Sequence, residues 1–177
     1  MDVILFTIFN GVLYGMLLFM LSSGLTLIFG MMGVLNFAHA SFFMLGAYFA
    51  YQISEFVGFY PALFIAPIII AFVGALVEKY GLRRVHKFGH VAELLFTFGL
   101  FYIIEEVVQM IWGKVPVGYH IPSSMDFSLF TIMGMSYPAY QMFTLAVSVG
   151  IFVGLFFVLT KTRAGLIIKA ALTHPEI

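Results

Sequence analysis

The chain has no cysteine, which removes disulfides and thiolate metal sites from consideration at once. Charge is scarce as well: Asp, Glu, Lys and Arg make up 9% of the residues and the formal net charge is +0, so no basic excess marks a nucleic-acid surface. No G-x-x-x-x-G-K-[ST] phosphate loop occurs. The only Gly-Lys pair, Gly113 and Lys114, has Val108 where the first glycine belongs and Val115 where Ser or Thr belongs. The chain cannot cradle ATP by a P-loop, so any ATP-driven work needs a partner.

What is present is apolar. Hydrophobic residues make up 63% of the chain, with 22 Phe and 11 Met, and the mean hydropathy is +1.10. These values belong to a membrane protein rather than a water-soluble domain. A span needs about 20 mainly apolar residues. Five windows qualify, roughly 3–29, 37–53, 60–78, 91–112 and 139–160, which predicts an all-α, multi-pass helical bundle. The first window does not read as a cleavable signal peptide, because it lacks a basic start and is too long for an h-region.

The few charges set an orientation. Lys79, Arg83, Arg84 and Lys87 share one loop, and Lys161, Arg163 and Lys169 share the tail. The positive-inside rule puts both in the cytoplasm, and the two helices between them agree in parity. The N-terminus then lies outside, as does the segment 113–138, which holds Lys114 and the turn cues Pro116, Pro122, Gly134 and Pro138. Within it, DFSLFTIMGMSYP predicts a small extracytoplasmic hairpin turning near Met133 and Gly134, with a dip of Phe127 to Met133 into the bilayer as the alternative. Trp112, Tyr119, Tyr137 and Tyr140 read as an aromatic belt at the outer interface.

Small residues four apart, Gly11 with Gly15, Gly46 with Ala50 and Gly150 with Gly154, suit close helix packing in lipid. The stretch GVLNFAHASFF is less ordinary. Asn36 and His39 are three apart and follow Gly30 and Gly33, which loosen the backbone. Either Asn36 caps the second membrane helix while His39 bonds a neighbour, or the glycine-flanked break lines a water-filled cavity. Glu105 and Glu106 are a second polar anomaly. They fall about 9 to 10 Å short of Trp112 at about 1.5 Å per residue, too far for a Glu to reach the interface. Charge at mid-membrane costs roughly 2.5 to 3.5 kcal/mol, so at least one of them should face protein or water. Enzyme readings find little support: Ser22-Ser23-Gly24 has Leu21 where a G-x-S-G protease needs glycine, and H-E-x-x-H is absent. His90 and Glu93 share a helix face, but two ligands do not make a catalytic zinc site. No metal or cofactor is expected, and Glu93 suits the positive end of its own helix.

The run SGLTLIFGMMGVLNFAHASFFMLGAY resembles the N-terminal signature of the permease subunits of branched-chain amino acid ABC importers, through Asn36, Phe37, Ala38, His39 and Ala40. The tail TRAGLIIKAALTHPEI is similar to the same family's cytoplasmic loop through Thr162, Arg163, Gly165, Lys169, Ala170 and Glu176. The resemblance implies one transmembrane permease domain over 1–177, being the N-terminal part of a longer protein. It assigns Gly30, Gly33, Asn36, Phe37 and His39 to the translocation path or its support. It makes 161–177 a segment that couples to ATPases through Thr162, Arg163, Gly165, Lys169 and Glu176. The implied setting is the bacterial inner membrane. The implied partners are a second permease subunit, cytoplasmic ATP-binding subunits and a periplasmic binding protein, and ATP hydrolysis belongs to the partners. The competing class is an ion-coupled secondary transporter or channel domain built on Glu105 and Glu106.

Overall fold

The computed structural model describes every residue except Met1, Val34, Met133, Gly134, Ala164, Ile167, Lys169 and 171–177. Among the described residues, six α-helices and one hairpin follow in order: α1 (Asp2–Met32), α2 (Ala38–Val57), α3 (Phe59–Val77), α4 (Arg83–His86), α5 (His90–Trp112), strands β1 (Ser128–Ile132) and β2 (Met135–Pro138), then α6 (Ala139–Lys161). A π turn, Glu78–Leu82, joins α3 to α4 without a break, so one helical run extends from Phe59 to His86.

Four of these helical runs are long and apolar enough to cross a membrane: Phe6–Gly30, Phe59–His86, His90–Trp112 and Ala139–Lys161. The five expected windows all become helices. The second, α2, is 20 residues long but falls below the others in apolarity. Its composition explains this, because Asn36, His39, Ser41, Gln52, Ser54 and Glu55 are spread along and just before it. The expected outer loop at 54–59 shrinks to Gly58, whose φ of 86° ends α2 and starts α3 in one residue.

The chain divides into two compact units. One is Met32–Tyr119, where α2 packs on α3 and α5 around Leu45, Ile104 and Val108, with Phe42, Tyr48, Ile70 and Trp112 around them. Gly46 carries part of this packing, since a Cβ there would touch the Ile70 side chain at 3.5 Å. Trp112 donates its indole N–H to Gln52 Oε1 at 3.2 Å and leans on the Tyr48 ring 5.1 Å away. Trp112 is therefore a packed residue of this core as much as a belt residue.

The other unit is Met1–Met31 with His120–Ile177. Here Phe6 and Phe9 of α1 meet the Tyr137 ring edge-on, at 5.8 and 5.0 Å, and Phe19 meets Phe152 of α6 at 5.3 Å. Tyr137, read from sequence as a belt residue, is 4% exposed, with those two phenylalanines packed against its ring. Strands β1 and β2 pair antiparallel, with Thr131 opposite Ser136 and an irregularity between Ser128 and Phe130. The expected hairpin is present, and its turn at Met133 and Gly134 lies outside the described residues. Ser136 and Ser128 share a hydroxyl hydrogen bond of 2.7 Å across the ladder.

Candidate functional site

The NFAH segment sits at the entrance to α2. Gly33 adopts φ 68°, a left-handed conformation in which a Cβ would be strained, and this ends the α1 direction. Gly30, by contrast, lies within the last turns of α1 and is helical. The Asn36 Oδ1 atom accepts from the Ala38 N–H at 3.0 Å, and the Asn36 carbonyl accepts from the His39 N–H at 3.1 Å. Together these satisfy two of the donors that a helix start leaves open. The capping reading of Asn36 thus has a direct geometric counterpart, one residue ahead of the assigned cap Phe37.

Phe37 and His39 leave the backbone on exposed and half-buried positions, whereas Ala38 between them is fully buried. Phe37 stacks edge-on against Phe98 of α5 at 5.9 Å. One turn further, Ser41 is buried and its Oγ finds no hydrogen-bond partner among the described residues. Unpaired buried hydroxyls are rare enough to need a reason. Sequence reading passed over Ser41. The available signal was its place three residues after Ala38, on the face that also holds Leu45.

On α5, Glu105 is half-buried and accepts from Gln109 Nε2 at 3.3 Å, while Glu106 is exposed. The pair of acids thus splits: one is engaged along its own helix and the other points away from the unit's core at Ile104 and Val108.

The structure adds a buried acid at the opposite end of α5. Glu93 is 1% exposed and sits in the first turn. Its Oε1 pairs closely with His86 Nδ1 of α4, and its Oε2 lies 3.6 Å from His90 Nδ1. Sequence spacing revealed His90 but missed His86, because that contact crosses the turn at Lys87–Gly89. Close by, the tip of the Phe96 ring occupies the space where a Cβ on Gly81 would stand, so any larger residue there requires that ring to shift. Among the described residues, no three His, Asp or Glu side chains are arranged to hold a metal ion.

At the end of α6 the helix stops at Thr162, which is extended at φ −113° and ψ 161°. Its N–H and Oγ1–H both donate to the Val158 carbonyl, at 3.3 and 2.7 Å. The same Oγ1 accepts from the Gly165 N–H at 3.3 Å, so Thr162 also caps the helical turn that follows. Gly165 is buried against the carbonyls of Val158 and Leu159, where no side chain fits. Arg163 is exposed. Lys169 and Glu176 lie outside the described residues.

The chain matches the family model described as "Branched-chain amino acid transport system / permease component" over residues 7–177. It is similar to a "Probable branched-chain amino acid transport permease protein LivH" of Methanocaldococcus jannaschii, with 26% identity over 95% of this chain and 55% of that protein. It is also similar to the "High-affinity branched-chain amino acid transport system permease protein LivH" of Salmonella typhimurium, 28% identical over 60% of this chain and 38% of that protein. The corresponding protein of Escherichia coli K12 is 26% identical over the same shares. The chain therefore spans about half or less of the length of these relatives. No solved structure matches. With four helices long and apolar enough to span, the protein is a multi-pass protein of the inner membrane, and it belongs to the family of permease components of branched-chain amino acid transport systems.

Proposed function

We propose that this chain is a membrane subunit of an ATP-binding-cassette importer for branched-chain or related small amino acids and amides. The observation that carries the reading is the family match over residues 7–177, which includes both the NFAH break and the tail after α6. The subunit performs no chemistry on its cargo. It contributes to the translocation path, pairs with a second permease subunit, receives cargo from a periplasmic binding protein and is driven by cytoplasmic ATP-binding subunits. Gly33 and Asn36 fix the break ahead of α2, and Phe37 and His39 line or brace the path beside it. Beyond α6, the turn capped by Thr162 presents Arg163 to the ATPase, and Lys169 and Glu176 extend the same contact.

Glu106 supports a second reading. An exposed acid on a spanning helix is a natural coupling group for an ion-driven carrier. The two readings separate in one experiment. The chain is co-expressed with candidate ATPase subunits, with and without Arg163→Ala or Glu176→Ala, and purified. The importer reading expects the ATPase to co-purify and either substitution to release it. Absence of the ATPase in every preparation, together with uptake that follows a proton or sodium gradient and fails in Glu106→Gln, would replace it with the carrier.

A further inference from the structure

The helical run from Phe59 to His86 is 28 residues long, about 42 Å at about 1.5 Å per residue. The hydrocarbon core is about 30 Å thick. If the run begins at the outer face, its final turns, from about Lys79 onward, stand in the headgroup layer.

Those turns carry Lys79, Arg83 and Arg84, and the following connection to α5 adds Lys87; all four are exposed. Among the described residues only Arg83 is paired with an acid, Glu78, at 2.7 Å. Two aromatic rings are interleaved with these cations and also exposed, Tyr80 at 54% and Phe88 at 73%. Lys79 Nζ stands 5.4 Å from the Tyr80 ring centre, and Lys87 Nζ stands 5.3 Å from that of Phe88. Cations grouped with rings, at the depth where polar headgroups meet acyl chains, complement an anionic phosphodiester on an apolar tail. The π turn and the His86–Glu93 pair hold α4 against α5, so the patch is displayed on a fixed support.

We propose that Lys79, Tyr80, Arg84, Lys87 and Phe88 form a binding site for the headgroups of anionic phospholipids in the inner leaflet. This goes beyond the importer reading and does not depend on it, since a carrier with the same topology would present the same site.

The test uses the purified chain in neutral detergent, supplied with equal amounts of phosphatidylglycerol and phosphatidylcholine. Retained lipid is counted by mass spectrometry after gel filtration. Phosphatidylglycerol should be retained in clear excess at low salt, and the excess should collapse at about 0.5 M salt, where screening is short-ranged. The triple substitution Lys79→Gln, Arg84→Gln and Lys87→Gln should remove the preference, with about a fivefold loss for each charge. The control pair Lys161→Gln and Arg163→Gln should keep it. Circular dichroism reports folding. If the triple variant aggregates, Arg84→Gln alone and the salt dependence of the unaltered chain decide the question.

A wild-type chain with no preference, a preference indifferent to salt, or one lost equally in the control pair would overturn the site. So would a triple variant that keeps its lipid preference but releases a co-purifying ATPase, which would assign the patch to a protein partner.

Discussion

The two compact units solve the same problem differently. In the unit at Met32–Tyr119, helices pack on one another, and 11% and 17% of the apolar windows of α3 and α5 are buried within the protein. In the unit formed by the N-terminal helix and the C-terminal third, the windows of α1 and α6 are each 6% buried. The polar groups follow the same division. The first of these units buries Ser41, Glu93 and Thr97, and both Glu93 and Ser41 rely on, or lack, partners beyond their own turn. In the other, the buried Ser148 is satisfied within its own helix by the Thr144 carbonyl at 2.8 Å, and the half-buried Gln141 keeps one buried oxygen without a hydrogen-bond partner among the described residues. A helix that closes its polar bonds internally can face lipid on nearly every side. One that buries an acid needs neighbours at fixed positions.

The largest effect should come from the pairing of Glu93 with His86 at the N-terminal end of α5. Removing one partner of a buried pair costs about 3 to 5 kcal/mol. Because the His86 side chain is 66% exposed, His86→Ala should cost less, about 2 kcal/mol, read from unfolding in a denaturing detergent. His90→Ala should cost under about 1 kcal/mol; the reverse order would show that His90 is the true partner of Glu93.

Gly81→Ala comes next. It should destabilise by about 1 to 3 kcal/mol by overpacking Phe96, and the additional change Phe96→Leu should restore much of the loss. Asn36→Ala should cost about 1 kcal/mol by uncapping α2, with the effect confined to that helix in amide exchange. Smallest is the unit with bare helices. Beyond its own stretch of helix, no heavy atom among the described residues lies within 4 Å of a Cβ added at Gly150 or Gly154, so Ala at either should leave the purified chain unchanged or firmer by up to about 1 kcal/mol. A clear loss there would show that the α6 face is covered, and the contrast between the units would fail.

Much of this was legible in the residues. Helix order, the hairpin between α5 and α6, and the special backbone before α2 followed from hydropathy, turn chemistry and glycine. Element ends moved by a few residues, mostly where a single glycine does the work of an expected loop, as at Gly58. What escaped was set by contacts across turns. The close approach of the Phe96 ring to Gly81 comes from another helix, and the Glu93 pairing depends on His86 folding back over Lys87–Gly89. Tyr137 reads as interfacial by type, and its packing against Phe6 and Phe9 of α1 is not visible in spacing. Gly30 reads as part of the break and is helical, while the left-handed backbone falls at Gly33.

The one-residue connection at Gly58 bears on how the protein reaches its membrane. Alone, α2 is a poor candidate for partition into a bilayer, since it carries Ser41, Gln52, Ser54 and Glu55 and is not among the runs apolar enough to span. The run that follows is strongly apolar, with a mean hydropathy of 2.3, and no spacer lets the two segments be handled separately during synthesis. Entering together as one antiparallel hairpin would let α3 supply the driving force while α2 gains shelter for its polar side. The least apolar of the long described helices, with the NFAH segment at its head, is thus tied by Gly58 to the neighbour best suited to carry it into a bilayer.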